Sequence, residues 1–68
     1  MTLQQWFADK PRGSKVQMTK ALGISKTYLS LLISGRETPS AAMAVMIHQY
    51  TKGEVSREEL RPDLFMEL

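Results

Sequence analysis

The apolar residues of this chain recur every three or four positions rather than every second one, and this spacing predicts helices rather than strands. The clearest case is residues 14–36, SKVQMTKALGISKTYLSLLISGR, where one apolar stripe precedes Gly23 and another follows it. The two stripes consist of Met18, Leu22, Leu29, Leu32 and Ile33. No alternating pattern persists in the sequence. We therefore expect an all-α fold of about five short helices.

Local signals divide residues 14–36 into two helices joined by a tight turn. Ser14 and Gln17 have the spacing of a capping box at the start of the first helix. Gly23 is placed to end that helix, because glycine adopts the left-handed conformation without a steric penalty. Ser25 is an N-cap candidate for the second helix, and Ile24 can fill the space between the two. Helices joined by so short a turn cross steeply, so the pattern predicts a helix-turn-helix.

A further helix is expected before this unit, and it ends at about residue 8. A capping box begins it and an apolar stripe gives it a buried side. The cap residues are Thr2 and Gln5, and the stripe residues are Leu3, Trp6 and Phe7. The loop that follows contains Pro11 and Gly13, which both disfavour helix.

The second half of the chain predicts one long and one short helix. Thr38 is the expected cap of the long helix, with Pro39 in its first turn and Gly53 beyond its end. A capping box then opens the short helix, which a proline closes, and three apolar residues fold back onto the domain. These residues are Ser56 and Glu59 for the box, Pro62 for the stop, and Leu60, Leu64 and Phe65 for the return.

The long helix at residues 39–50 is apolar on most of its sides, which predicts that it is covered on most sides. Its core-facing residues are Met43, Ala44, Ile47 and Tyr50. The remaining cover is either residues 54–68, the packing and partner segment of the chain itself, or a second subunit. The candidate dimer and partner residues are Val45, Met46, Phe65 and Met66.

Length and composition limit what such a chain can do. A chain of 68 residues forms one domain, here 1–68, with a small core, so a second subunit is an expected source of stability. The absence of cysteine removes disulfides and thiolate metal sites. No apolar run approaches the roughly 20 residues of a membrane span. We expect a soluble, cytoplasmic protein.

The charge is unevenly distributed. Residues 1–36 carry six basic groups and one acidic group, a net charge of +5, whereas residues 37–68 have a net charge of −3. The basic half contains the helix-turn-helix. This asymmetry suits a polyanionic partner on one side of the molecule.

Catalytic and metal chemistry finds no support in the sequence. The single histidine, His48, has no second histidine or cysteine at ligand spacing, and the same isolation argues against a Ser/His/Asp triad. Glu58 and Glu59 are adjacent on one helix and do not face one pocket; they suit the helix dipole. No glycine-rich phosphate loop is present. We expect neither an enzyme nor a cofactor.

The second helix of residues 14–36 has an unusual outward face. Opposite its apolar stripe lie small hydroxyl residues and one apolar group, with a lysine at the edge; these are Thr27, Ser30, Leu31, Ser34 and Lys26. Lys15 and Lys26 each lie in the first turn of a helix, where a cation opposes the macrodipole by roughly 0.3–1 kcal/mol. A bound phosphate backbone would remove that conflict. The face therefore indicates contact with DNA.

The segment KALGISKTYLSLLISGRETPS resembles the helix-turn-helix of Cro-like phage repressors, and TKGEVSREELRPDLF is similar to the C-terminal end of the YdaS-like subgroup of prophage regulators. The resemblance covers about residues 7–65. Two positions differ from the usual motif, Thr19 in place of alanine and Lys15 in place of glutamine. The resemblance implies a lambda-repressor-like DNA-binding domain whose second motif helix enters the major groove.

The resemblance also implies roles for individual residues. The residues expected to read bases are Lys26, Thr27, Ser30 and Leu31, with Tyr28 flanking them. Those expected to hold phosphates are Ser14, Lys15, Gln17 and Arg36, with weaker contacts from Lys10 and Arg12. A dimer would place its two recognition helices about 34 Å apart.

The function expected from these observations is sequence-specific binding of double-stranded DNA by a homodimeric transcriptional regulator, a Cro-like phage or prophage repressor. This expectation includes a homodimer that forms only when the protein is bound to DNA. One alternative is an antitoxin-like autoregulator that also binds a partner protein through its C-terminal part. The other is a protein-interaction module that uses the helix-turn-helix only as a scaffold.

Overall fold

The computed structural model of the chain describes residues 1–65, which form six helices and no strand. The helices are α1 Leu3–Ala8, α2 Ser14–Leu22, α3 Lys26–Ser34, α4 Ala41–Tyr50, α5 Arg57–Leu60 and α6 Pro62–Phe65. The predicted all-α class is confirmed. The extra helix arises at Pro62, which follows the end of α5 as expected but also begins α6, because proline fits the first helical turn.

The turn between α2 and α3 has the predicted form. Gly23 adopts the left-handed conformation with φ of 69° and donates its N–H to the Thr19 carbonyl. The N–H of Ile24 reaches the same carbonyl at 3.0 Å. Ser25 then caps α3, its hydroxyl accepting from the Tyr28 N–H at 3.0 Å. These bonds close one helix and open the next within three residues, which fixes the helix-turn-helix.

The predicted start of α2 is wrong by one position. Its N-cap is Gly13, with φ of 91°, and no side chain caps the helix, so Ser14 and Gln17 form no capping box. The Ser14 N–H donates to the Pro11 carbonyl at 3.3 Å, and the Gln17 N–H donates to the Gly13 carbonyl at 3.0 Å. The left-handed turn at Gly13 thus already places Ser14 inside the first helical turn.

One hydrophobic core joins the helices. Its buried residues come from every helix up to α4 and from the α4–α5 loop: Leu3, Phe7, Met18, Leu22, Leu29, Leu32, Ala44, Ile47 and Val55. The α1 and α2 helices pack on α3, and α4 packs on α2 and α5. Thr19 is buried and donates its hydroxyl to the Val16 carbonyl at 2.7 Å, so this departure from the motif leaves no unsatisfied hydroxyl.

The predicted start of α4 is also wrong. Ser40, not Thr38, is the N-cap, and its hydroxyl accepts from the Met43 N–H at 3.1 Å. Pro39 is buried before the helix rather than inside its first turn, and its carbonyl accepts from the Arg61 guanidinium at 2.8 Å. The predicted core face of α4 is confirmed.

The segment after α4 is held by hydrogen bonds to its last turn. Gly53 lies three residues beyond the end of α4 at Tyr50 and has a φ of 83°. It donates its N–H to the His48 carbonyl at 2.8 Å. The hydroxyl of buried Thr51 accepts from the Val55 N–H at 3.1 Å. The Nδ1 atom of His48 accepts the Arg57 N–H at 3.1 Å. His48 therefore helps to hold the start of α5.

The C-terminal helices differ from prediction in two details. Ser56 caps α5, but the Glu59 carboxylate accepts from the Ser56 hydroxyl and the N-terminal ammonium, so half of the capping box is absent. Leu60 and Phe65 are half-buried as expected, whereas Leu64 is 51% exposed because it lies on the outward side of α6. Met66 lies outside the described residues.

Candidate nucleic-acid interface

The outward face of α3 is the first component of the candidate site. The buried residues Leu29 and Leu32 hold one side of the helix in the core. The opposite side presents exposed side chains from one end of the helix to the other, Lys26, Thr27, Ser30 and Ser34. This is the face that the sequence predicted. Two other predicted base-reading residues are half-buried: Leu31 at the edge of the face, and Tyr28, which packs against the core.

The hydroxyl groups of the chain divide into two classes, bonded and free. Four of them cap helices, and Thr19, Ser34 and Thr51 donate to carbonyls of their own helices. Among the serines and threonines of residues 1–65, four hydroxyls have no hydrogen-bond partner within those residues, those of Ser14, Thr27, Ser30 and Thr38. Three of these four belong to the predicted DNA-contacting residues. Their donors and acceptors are available to a ligand.

The start of α2 is the second component. The first backbone N–H groups of any helix lack intrahelical acceptors. Here no side chain caps the helix, and among the described residues the N–H groups of Lys15 and Val16 have no acceptor. They add to the positive end of the helix dipole.

A cleft of about 300 Å³ opens at this helix start. Its lining comes from α1, the α1–α2 loop and the first turn of α2: Phe7, Lys10, Pro11, Arg12, Gly13, Ser14, Lys15 and Val16. Three of the six predicted phosphate-binding residues are cations of this cleft, and Ser14 also lines it. Positive side chains and free N–H groups together suit an anion such as a phosphate. Gln17, the next candidate, is exposed one residue beyond the lining.

None of the basic residues of the N-terminal half is neutralised within the described structure. The ion pairs within residues 1–65 join the N-terminal ammonium to Glu59, Arg57 to Glu58, and Arg61 to Asp63. Arg36, exposed directly after the left-handed Gly35 that ends α3, makes no such pair in residues 1–65. The charge that the sequence places in residues 1–36 thus remains available to a polyanion.

Two lysines of the cleft lie against aromatic rings of α1. The Nζ atom of Lys10 is 4.4 Å from the centroid of the Trp6 ring, and that of Lys15 is 5.9 Å from the centroid of the Phe7 ring. The sequence indicated only a core role for the two aromatic residues. Because α1 ends at Ala8 and Lys10 lies in the loop that follows, no helical spacing in the sequence indicated this contact.

The predicted dimer and partner residues come later in the chain than the cleft at α2 and the outward face of α3. Val45 is half-buried, and Met46 on α4 is 37% exposed. Phe65 is half-buried, and the Arg57 guanidinium lies 5.5 Å from its ring centroid, so the ring already has a neighbour. Exposed Ala41 and Ala42 extend the uncharged outer side of α4.

The described residues give little support to other classes of site. No three side chains of the types that bind metals come together within residues 1–65. No helix in that part of the chain has the length and apolar character needed to cross a bilayer. An open groove of about 350 Å³ runs between the start of α1, the end of α3 and α5, with the carboxylates of Glu37 and Glu59 beside it. It differs in charge from the cleft at α2.

The chain is similar to a described protein family and to a named bacterial protein. Residues 4–68 match the protein family described as bacterial toxin YdaS. The chain is also 31% identical over 49 residues to a protein of Escherichia coli (strain K12) named prophage transcriptional regulatory protein. That alignment covers 72% of this chain and 74% of the relative.

Proposed function

The chain belongs to the family described as bacterial toxin YdaS, and from this membership and the outward face of α3 we propose that it is a sequence-specific DNA-binding regulator of transcription. A relative is named a prophage transcriptional regulatory protein, which supports the regulatory part. DNA binding is our inference from the geometry. The role places the protein in the cytoplasm of a bacterial cell or phage-infected host, and it requires no catalysis and no cofactor.

The observation that carries the proposal is the pair of free hydroxyls on α3. Serine and threonine in helices commonly bond back to a carbonyl three or four residues earlier, as Ser34 does to Leu31 at 3.2 Å. Thr27 and Ser30 do not, although they share the exposed face with Ser34. Their hydroxyls can therefore donate to or accept from base edges in the major groove. Lys26 can donate to guanine, and the edge of Leu31 can contact a thymine methyl.

The basic surface around α3 supplies the contacts that set register. The uncapped start of α2, with Ser14, Lys15 and Gln17, precedes α3, and Arg36 follows it. Backbone N–H groups and cations at such positions bind phosphates and orient the protein on the duplex without reading sequence. Lys10 and Arg12, which line the cleft at the start of α2, add weaker backbone contacts.

We propose a homodimer that forms on DNA, with the outer side of α4 around Val45 and Met46 as its contact. This uncharged side is one helix wide, whereas stable interfaces bury about 800 Å² on each partner. Contact through one helix side therefore suits copies that DNA already holds together. Half-sites would then lie about 34 Å apart, one turn of the duplex.

The salt dependence of duplex binding tests the DNA proposal. Fluorescence anisotropy on a labelled duplex gives the slope of log affinity against log salt concentration. The measurement covers roughly 50 to 200 mM salt, a range over which phosphate contacts make affinity strongly salt-dependent. Lys15→Ala and Arg36→Ala should each weaken binding to every duplex and reduce the slope by about 0.9, one lost phosphate contact.

The matched control is Lys52→Ala, which removes one exposed cation from the turn after α4. It should leave the slope unchanged. If the wild-type protein does not bind the duplex at any salt concentration, the proposal is wrong. Equal loss of slope in all three variants would reduce the binding to nonspecific charge attraction.

The family description, which names a toxin, favours a second candidate function. In that reading the chain acts on a partner protein through its C-terminal half, either as the toxic component of a pair or as an antitoxin-like autoregulator. The 37% exposed Met46 and the 51% exposed Leu64 are the apolar side chains available for such contact. The helix-turn-helix would serve as the scaffold, or would hold the operator of its own gene.

Growth of a bacterial host that expresses the chain separates the two candidates. If the DNA-binding role explains any effect on growth, Arg36→Ala should relieve growth inhibition and Met46→Ser should not. The reverse result would identify a protein partner as the cause. Co-purification of a neighbour-encoded protein that Met46→Ser abolishes would point the same way.

A further inference from the structure

The cations of the cleft at α2 differ from the other paired cations of the described chain in what they contact. Arg57 and Arg61 lie against carboxylates, at 3.5 and 2.8 Å, and Arg57 also lies 5.5 Å from the centroid of the Phe65 ring. Lys10 and Lys15 lie against aromatic rings and make no ion pair within residues 1–65. A carboxylate offsets the charge of the cation that it holds. The face of an aromatic ring attracts an ammonium without cancelling its charge and leaves the outward N–H donors free.

The Trp6 ring is itself fixed by its neighbours. It meets the Phe7 ring edge to face, with centroids 5.0 Å apart and planes at 85°, and meets the Tyr50 ring at 6.2 Å and 62°. Such pairs of aromatic rings stabilise one another beyond the area that they bury. The ring under Lys10 is therefore anchored to α1 and α4, and its position does not depend on the loop that carries the lysine.

Lys10 has few other constraints. It lies beyond the end of α1 at Ala8, in the loop that contains Pro11 and Gly13. Lys10 is half-buried. A lysine side chain in a loop samples many rotamers unless a contact holds it, and ordering such a side chain on binding costs affinity. A ring that already holds the ammonium over the cleft removes part of that cost.

We propose that Trp6 is a positioning residue for nucleic-acid binding, which holds the charged Lys10 ammonium over the cleft at the start of α2 for contact with a backbone phosphate. This inference rests on the proposed DNA binding. Trp6 does not touch the phosphate and acts through Lys10. Phe7, with its ring centroid 5.9 Å from the Lys15 Nζ atom, takes a weaker part of the same kind.

A double-mutant cycle on a duplex tests the proposal. Lys10→Ala should lower affinity and reduce the salt slope by about 0.9, because one phosphate contact is lost. Trp6→Leu should lower affinity by about two- to fivefold, the range of an exposed cation–π contact, with little change in slope because the lysine keeps its charge. In the double variant, Trp6→Leu should add no further loss. Additive losses would reduce Trp6 to a core residue and overturn the proposal.

Trp6 also packs against the core, so its replacement can unfold the domain. A measurement on the unaltered protein keeps the proposal testable. Protons of a lysine side chain above an indole ring resonate upfield, and for Lys10 this shift should be present in the free protein and should persist on the duplex. Loss of the upfield shift on binding would show that Lys10 leaves the ring to reach the phosphate, which overturns the proposal.

The outcomes also separate this inference from the proposed function. If the wild-type protein does not bind the duplex at all, DNA binding fails and no cycle exists to measure. If it binds with a salt slope that Arg36→Ala reduces, but the Trp6 and Lys10 effects add, DNA binding stands and only the positioning role is wrong.

Discussion

Ser30 and Ser34 lie four residues apart on the same exposed face of α3, yet their hydroxyls differ. That of Ser34 donates to the Leu31 carbonyl at 3.2 Å, and that of Ser30 has no partner among the described residues. The helical wheel predicts which side chains face outward, but it does not predict which hydroxyl bonds to its own helix, because that depends on the rotamer. The sequence therefore predicted the face of α3 and not the division within it.

This difference provides a matched pair of variants at the residue scale. Ser30→Ala should weaken binding to the preferred duplex by about 1–3 kcal/mol, the value of a good base contact. Ser34→Ala removes a hydroxyl from the same face and should leave affinity within about 0.5 kcal/mol. Both are measured by anisotropy at one salt concentration. Equal losses of affinity from the two changes would show that the free hydroxyl of Ser30 has no special role in recognition.

At the scale of single helices, N-cap residues were the most informative signal and also the main source of error. Thr2 and Ser25 were identified correctly. Thr38 was wrong because Ser40, two residues on, is an equally good cap. The choice is made by burial of Pro39, whose carbonyl bonds to Arg61, 22 residues away. No local pattern contains that contact.

The assignment of this cap is itself testable. Ser40→Ala should destabilise the domain by about 1 kcal/mol, since it leaves the Met43 N–H without its side-chain acceptor. Thr38→Ala should cost much less, because the Thr38 hydroxyl caps nothing within residues 1–65. Urea unfolding of the two variants measures the difference. A larger loss for Thr38→Ala would return the start of α4 to the position that the sequence predicted.

On the scale of the whole molecule, the sequence predicted the all-α fold class and the distribution of charge. It did not predict the contacts that hold α5 and α6 to the rest of the domain. The basic half contains the helix-turn-helix, and the ion pairs of the described structure involve carboxylates of the acidic half. Arg61 was not singled out from the sequence, although it joins the α5–α6 junction to Pro39 and to Asp63. Such long-range closure depends on the assembled fold rather than on spacing.

The pH dependence of stability follows from this C-terminal closure. The Arg61 guanidinium, which donates to both oxygens of the Asp63 carboxylate, lowers the pKa of Asp63. The N-terminal ammonium, which donates to the Glu59 carboxylate, likewise lowers the pKa of Glu59. A carboxylate whose pKa is lower in the folded state contributes stability above its unfolded pKa. That contribution is lost as the pH falls through the lowered value.

The thermal midpoint should therefore decrease below about pH 4, where these carboxylates become protonated. Asp63→Asn should lower the midpoint at pH 7 and make its dependence on acid less steep. Glu54→Gln is the control, because the Glu54 carboxylate makes no ion pair within residues 1–65. A wild-type pH profile in Asp63→Asn would show that the Arg61–Asp63 pair does not contribute to stability.

Selection of bound sequences from a random duplex pool tests most directly whether the outward face of α3 reads DNA. The wild-type protein should enrich a short sequence, repeated about one helical turn apart if two copies bind together. Thr27→Val, which exchanges the free hydroxyl for a methyl group of similar size, should change the preferred base at one position and retain the others. A pool without enrichment, or the same preferred sequence for wild type and Thr27→Val, would contradict the account.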